Sequence, residues 1–178
     1  MTNEQFNECM CRVKTRDVDA LKAIYNAYFS YVYQTAYALL QQKENAEDIA
    51  SDVFMSLWDK AGTFKPGKSH KGWLATITRN LAIDFLRKNG RVVGSDDDVD
   101  GELSSQMSTD SFEDDVLNKV TVEQLLSKLS SDQRLIIHLK FFGKLTLDEI
   151  AKVMEIPVGT VNWKYAKARE LLRRYNYA

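Results

Sequence analysis

"TLDEIAKVMEIPVGTVNWKYAKARELLRRY", residues 146–175, settles the C-terminal architecture. Thr146 followed by Glu149 is a capping-box pattern that starts a helix. Pro157 suits the first turn of another, where its missing N–H is not needed. A short helix, a tight turn at "MEIPV" and a longer basic helix predict a helix-turn-helix. Stepping 100° per residue from Val161 puts Tyr165, Ala168 and Leu172 within about 40° of it, a buried face. Trp163 falls about 160° away, beside Lys167, Glu170 and Arg174. The core of this helix therefore does not explain the indole. It either packs on a neighbouring helix or lies on the surface, or it enters the major groove with the first turns of a recognition helix. In the second reading Asn162 pairs with an adenine edge, Lys167 with guanine acceptors, and Trp163 meets thymine methyls. Thr160, Lys164, Arg173 and Arg174 then contact phosphate, giving position and salt-sensitive affinity.

Upstream of this unit the chain changes character. Residues 91–115, "RVVGSDDDVDGELSSQMSTDSFEDD", hold nine acids against Arg91 alone, a balance of −8. Residues 116–178 carry eleven Lys/Arg against six Asp/Glu (+5), and residues 1–90 carry twelve against ten (+2). The whole-chain charge of −1 thus averages two mildly basic modules and an acidic segment. That segment is rich in Ser, Asp and Gly without apolar periodicity and reads as a flexible linker.

The remainder reads as helix. Only Pro66 and Pro157 interrupt 178 residues, and no run alternates in strand fashion. A first long helix spans about Val18 to Leu40, with Leu21, Ile24, Tyr25, Tyr28, Val32 and Tyr33 in one wide stripe. A second starts near Asn45, with Ile49, Val53, Leu57 and Trp58 inward and Asp48, Ser51 and Asp52 off the core face. The stretch "GTFKPGKSHKG" then breaks the pattern. A third, "WLATITRNLAIDFLRK", runs to about Lys88, with Trp73 beginning its apolar arc. There Asn80, Asp84 and Arg87 follow i, i+4, i+7, a polar strip beside Ile77, Leu81 and Phe85. This strip either braces two helices or hydrogen-bonds an unstacked base, with Lys65, Lys68, Lys71, Arg79 and Lys88 attracting the phosphates of an opened strand. The loop at 64–72 would wall a pocket for that base. The expected class is all-α: two small helical domains, 1–90 and 116–178, joined by the acidic linker 91–115.

Composition narrows the alternatives. No window approaches the ~20 apolar residues of a membrane span, and "MTNEQFNECMCR" lacks a signal-peptide core. A cytoplasmic location without direct membrane insertion is expected, with Cys9 and Cys11 as reduced thiols. His70 and His138 are isolated in sequence, so neither a metal site nor a cofactor is expected. No nucleophile–base pair or phosphate-cradling loop points to an enzyme.

Several of these motifs together resemble one family. Gln133-Arg134, Glu149-Ile150-Ala151, Gly159-Thr160-Val161, Ala168-Arg169 and Leu171 or Leu172 match the C-terminal promoter-binding module of extracytoplasmic-function (ECF) sigma factors. "NAEDIASDVFMSLWDK" resembles their polymerase-binding helix, and "GWLATITRNLAIDFLRKNGR" resembles the helix over the melted −10 element. The blocks cover about 150 residues in the right order. The resemblance implies a subunit that binds core RNA polymerase, docks Asp48, Ser51 and Asp52 on the coiled coil of the largest subunit, and takes promoter DNA as both duplex and melted strand. It also implies an anti-sigma protein, often membrane-anchored, as a partner, and a linker that threads the polymerase cleft; plain solubility and reach account equally for the linker's acids. After Gly-Thr-Val the family commonly has a basic residue, a serine and an arginine, whereas Asn162, Trp163 and Lys164 stand here, so the family's base preference does not transfer. The alternative left open is a conventional helix-turn-helix repressor or activator, which would pair on a two-fold site.

Overall fold

The computed structural model describes residues 1–66, 69–90 and 122–175. The expected linker, 91–115, lies outside them, as does Lys68 in the 64–72 loop. Among the described residues the chain is helical throughout: α1 (Asn3–Lys14), α2 (Val18–Leu40), α3 (Lys43–Asp59), a 3-10 turn at Ala61–Thr63, α4 (His70–Lys88), α5 (Val122–Ser127), α6 (Ser131–Phe141), α7 (Leu147–Met154) and α8 (Val158–Tyr175). Among them, no helix is long and apolar enough to cross a membrane.

Side-chain caps set many of the helix starts. Reciprocal capping boxes join Thr2 with Gln5, Ser130 with Gln133 and Thr146 with Glu149, each satisfying otherwise orphaned N–H groups. Asp17 accepts from the N–H groups of Asp19 and Ala20 at the start of α2, and its carboxylate also holds Arg12 at 2.9 Å. These two contacts push the Asp17 pKa below the usual carboxylate range.

α2 is the spine of the N-terminal unit. Its buried Ile24, Tyr28 and Val32 meet Phe6 and Met10 of α1, Ile49, Val53 and Leu57 of α3, and Leu74 of α4. Tyr25, expected in the inner stripe, is exposed instead and leans on Phe29 and Phe54 at the edge of the core. Trp73 packs its ring 4.9 Å from Phe64. His70 is buried, with Nε2 2.6 Å from the Tyr28 hydroxyl and its ring stacked 4.8 Å from Phe6. Its Nδ1 faces Asn3. This isolated histidine thus stitches α1 to the first turn of α4, and burial lowers its pKa.

The C-terminal unit wraps α7 and α8 around α6. Leu135, Ile136 and Leu139 meet Ile150, Val153, Met154 and Val161 in its core. The chain turns between α7 and α8 at Glu155, whose φ of 58° is left-handed, a conformation costly for a side-chain-bearing residue.

The two units are packed together. Ala75 of α4 is fully buried within the same cluster as Leu135 and Leu139, with Tyr31 and Leu39 of α2 against it. Across the α2–α6 seam, Arg134 Nε donates to the Ala38 carbonyl at 3.0 Å, and His138 Nε2 lies 3.1 Å from Thr35 Oγ1. The Thr35 hydroxyl already donates to the Tyr31 carbonyl at 2.7 Å, so the network assigns the proton to Nε2 of a neutral His138. At Gly143 the backbone comes so close that an added Cβ would lie 3.1 Å from the Tyr31 hydroxyl and 2.5 Å from the Leu139 carbonyl.

Candidate nucleic-acid and polymerase interfaces

α8 presents the first surface. Val161 and Ala168 are fully buried, with Tyr165 and Leu172 partly so. The opposite side is open: Asn162, Lys167 and Arg173 are exposed, Thr160 is half-buried, and Trp163 keeps 54% of its surface in solvent. Lys167 Nζ sits 4.9 Å over the indole, a cation–π pair that holds a cation against the flat face.

Lys164 departs from expectation. It lies only about 60° from Val161 on the wheel, against the apolar arc. The residue is 6% exposed, and its Nζ is 2.9 Å from Asp132 Oδ2 at the start of α6. This ammonium braces α8 to α6 and is not presented to a phosphate.

The second surface is the outer strip of α4. Asn80, Asp84, Arg87 and Lys88 are all exposed, and the Arg87 guanidinium lies 3.7 Å from Asp84. Lys65 is exposed in the loop before α4. Lys71 and Arg79 turn away from this strip. Lys71 Nζ approaches the Phe142 carbonyl at 3.5 Å and lies 5.9 Å over the Tyr31 ring. The half-buried Arg79 reaches Glu155 in the helix-turn-helix turn at 4.0 Å.

α3 carries the third. Asp48, Ser51 and Asp52 are exposed on one side, and Met55 stands 64% exposed in the same row. Sequence reading missed Met55, although its spacing of seven from Asp48 and four from Ser51 puts it on that face. An apolar side chain beside two carboxylates is a mixed surface suited to a protein partner.

Residues 24–92 match Sigma-70 region 2, and residues 119–172 match Sigma-70, region 4. The ECF RNA polymerase sigma factor SigW of Bacillus subtilis is 33% identical over 172 residues, covering 92% of each chain. The chain is an ECF sigma factor. RpoE of Cereibacter sphaeroides, another ECF sigma factor, is 34% identical over 131 residues, covering 73% of this chain and 71% of its own. Among solved structures, the sigma factor RpoE in complex with the anti-sigma factor NepR from Bartonella quintana superposes with a TM-score of 0.67 at 27% identity, covering 90% of this chain and 99% of that one. CnrH in complex with the cytosolic domain of CnrY gives 0.66 at 18% identity over 96% of both, a likeness of fold. The protein is therefore a promoter-specificity subunit of RNA polymerase, and sigma factors in general are not enzymes. Both regions stand in one chain, which sets aside the stand-alone repressor or activator.

Proposed function

We propose that three helices divide the work of this sigma factor. Residues 116–178 read duplex at the −35 element through Asn162, Trp163 and Lys167 of α8, with Thr160 and Arg173 toward phosphate. Residues 1–90 hold the melted −10 strand on Asn80, Asp84, Arg87 and Lys88 of α4, with Lys65, Lys71 and Arg79 as its cations. Asp48, Ser51, Asp52 and Met55 of α3 dock on the largest-subunit coiled coil of core polymerase, in the cytoplasm, and residues 91–115 join the two domains. The observation that carries this reading is the exposure of an indole, with a lysine parked on it, on the side of α8 away from its core.

Such a surface reads base edges and methyls in the major groove. Trp163→Ala is expected to weaken holoenzyme binding to the −35 element about tenfold, or roughly 1–2 kcal/mol, while affinity for core polymerase stays constant. Fluorescence anisotropy on promoter duplex, run beside a core-binding titration, checks this. Equal loss in both assays, or a lowered melting temperature, returns Trp163 to a packing role. The wider reading is tested by in vitro transcription with purified core polymerase across a genomic template library. Defined start sites that need this subunit are expected, and their absence on all templates refutes it.

We also infer an anti-sigma partner. The structural relative RpoE was solved bound to the anti-sigma factor NepR. Between the two units lies a cavity of about 870 Å³, lined by Tyr31, Gln34, Tyr37, Arg134, Ile137 and His138. Aromatic and cationic side chains of this kind suit an amphipathic helix with acidic edges. Whether that partner is membrane-anchored belongs to its own sequence.

A further inference from the structure

We propose that Trp163 reads one chemical group, the C5-methyl of a pyrimidine, and so selects thymine at one position of the −35 element. This rests on the assignment of α8 to that element and names the base edge that the helix takes. The surroundings of the indole carry it. The ring keeps 54% of its surface in solvent on the side away from the core. Its neighbours on that face, Gly159 at i−4 and Ala166 at i+3, are small and exposed. A Cβ added at Gly159 would meet nothing within 4 Å, so the indole stands above low ground and a duplex can close on it. Lys167 Nζ lies 4.9 Å over the ring, which leaves the opposite face and the edge to a ligand.

The major groove then decides the partner. An indole is a broad apolar body with a single N–H donor and no acceptor. Guanine offers acceptors without an apolar group, and adenine and cytosine each present an amino donor that opposes the N–H. Thymine alone sets an acceptor, O4, beside a methyl group. Both properties of the indole are matched there. Asn162, the preceding residue, suits an adenine edge, so consecutive side chains favour A·T pairs. Lys164, the next residue, is turned to Asp132 and does not compete for that base. Removing the methyl, as in uracil, should cost about fourfold in affinity, the transfer value of one buried carbon group. 5-Methylcytosine keeps the methyl but turns a donor toward the indole N–H, so it should rank between thymine and cytosine.

The test changes the DNA rather than the fold. The −35 element is located by start-site mapping with holoenzyme, and each thymine on either strand is then replaced singly by uracil. Wild-type holoenzyme is expected to lose about fourfold in affinity at one position by fluorescence anisotropy, and to rank thymine above 5-methylcytosine above cytosine there. Trp163→Ala holoenzyme is expected to bind the thymine and uracil duplexes equally. Wild-type protein alone can refute the proposal, whatever the variant does to folding: an element with no uracil-sensitive position, or with no A·T pair, overturns it. So does a loss of the same size in Trp163→Ala, which places the methyl on another residue or in the shape of the duplex. Scrambling the whole −35 element is the control. Undiminished binding to the scrambled duplex defeats the assignment of α8, whereas lost binding without any uracil effect defeats the thymine contact alone.

Discussion

Asp132→Ala is expected to destabilise the C-terminal unit by about 2–3 kcal/mol, somewhat less than breaking a fully buried ion pair costs, because Asp132 itself is partly exposed. The loss comes from what remains. Lys164 is 6% exposed with its ammonium on Asp132, and removing that carboxylate takes a close counter-charge from an almost buried ammonium at the α6–α8 junction. Lys164→Met keeps the aliphatic stem and leaves behind only a carboxylate that water can reach, so it should cost far less. The double variant Asp132→Ala/Lys164→Met should recover most of the stability lost by the first. Urea melts of the full chain measure this directly. The same pair decides between bracing and phosphate contact: a lysine on the DNA backbone contributes about one unit to the salt dependence of binding, and Lys164→Met is expected to leave that slope unchanged. A slope that flattens, with stability intact, would put Lys164 back on the DNA.

Acidification is expected to open the molecule. Burial between Tyr31, Thr35 and Phe142 pushes the His138 pKa down to about 4, against an ordinary value near 6.5. The charged side chains around the same cavity, Lys43 of α3, Lys71 of α4 and Arg134 of α6, are cations and also oppose a charged ring. On the acidic side, Glu149 acts on Tyr31 and is held in its own capping box with Thr146. Between pH 6.5 and 4 the opened form binds a proton that the closed form refuses, so closure is fully favoured above 6.5 and weakens as pH falls. At pH 5 the shift amounts to about thirtyfold, or roughly 2 kcal/mol. Scattering or an inter-domain fluorescence distance followed from pH 7 to 5 should report expansion in the wild type and a flat response in His138→Gln. An equal response in both would assign the pH effect elsewhere. The buried His70 is the first place to look, since its pKa is lowered too.

Much of this architecture is legible in the sequence because each helix announces itself locally. Val18 to Leu40 has a stripe at three- and four-residue steps, and Thr146 with Glu149 marks the start of α7. The exposure of Trp163 follows from one angular step around α8. What escapes a sequence reading is any contact between distant segments. Lys164 belongs to Asp132, thirty-two residues earlier, and nothing local distinguishes it from a solvated lysine. His138 and Thr35 are 103 positions apart, so the histidine looked isolated. One trace of the seam was visible. Residues 135–139, "LIIHL", put bulky side chains all round α6, and all five are buried, as expected for a helix with no solvent face. The Met55 row was likewise readable from spacing, but an apolar residue on an acidic face passes for an ordinary surface methionine.

That crowded helix has a cost for the cell. With α2 and α4 drawn away, Leu135, Leu139 and Ala75 lose part of their shared cover, and newly wetted apolar edges seek other company. Any copy that unfolds its embrace without an enzyme to receive it becomes a candidate for clumping or degradation. The stock of this subunit should therefore be tied to the supply of vacant polymerase.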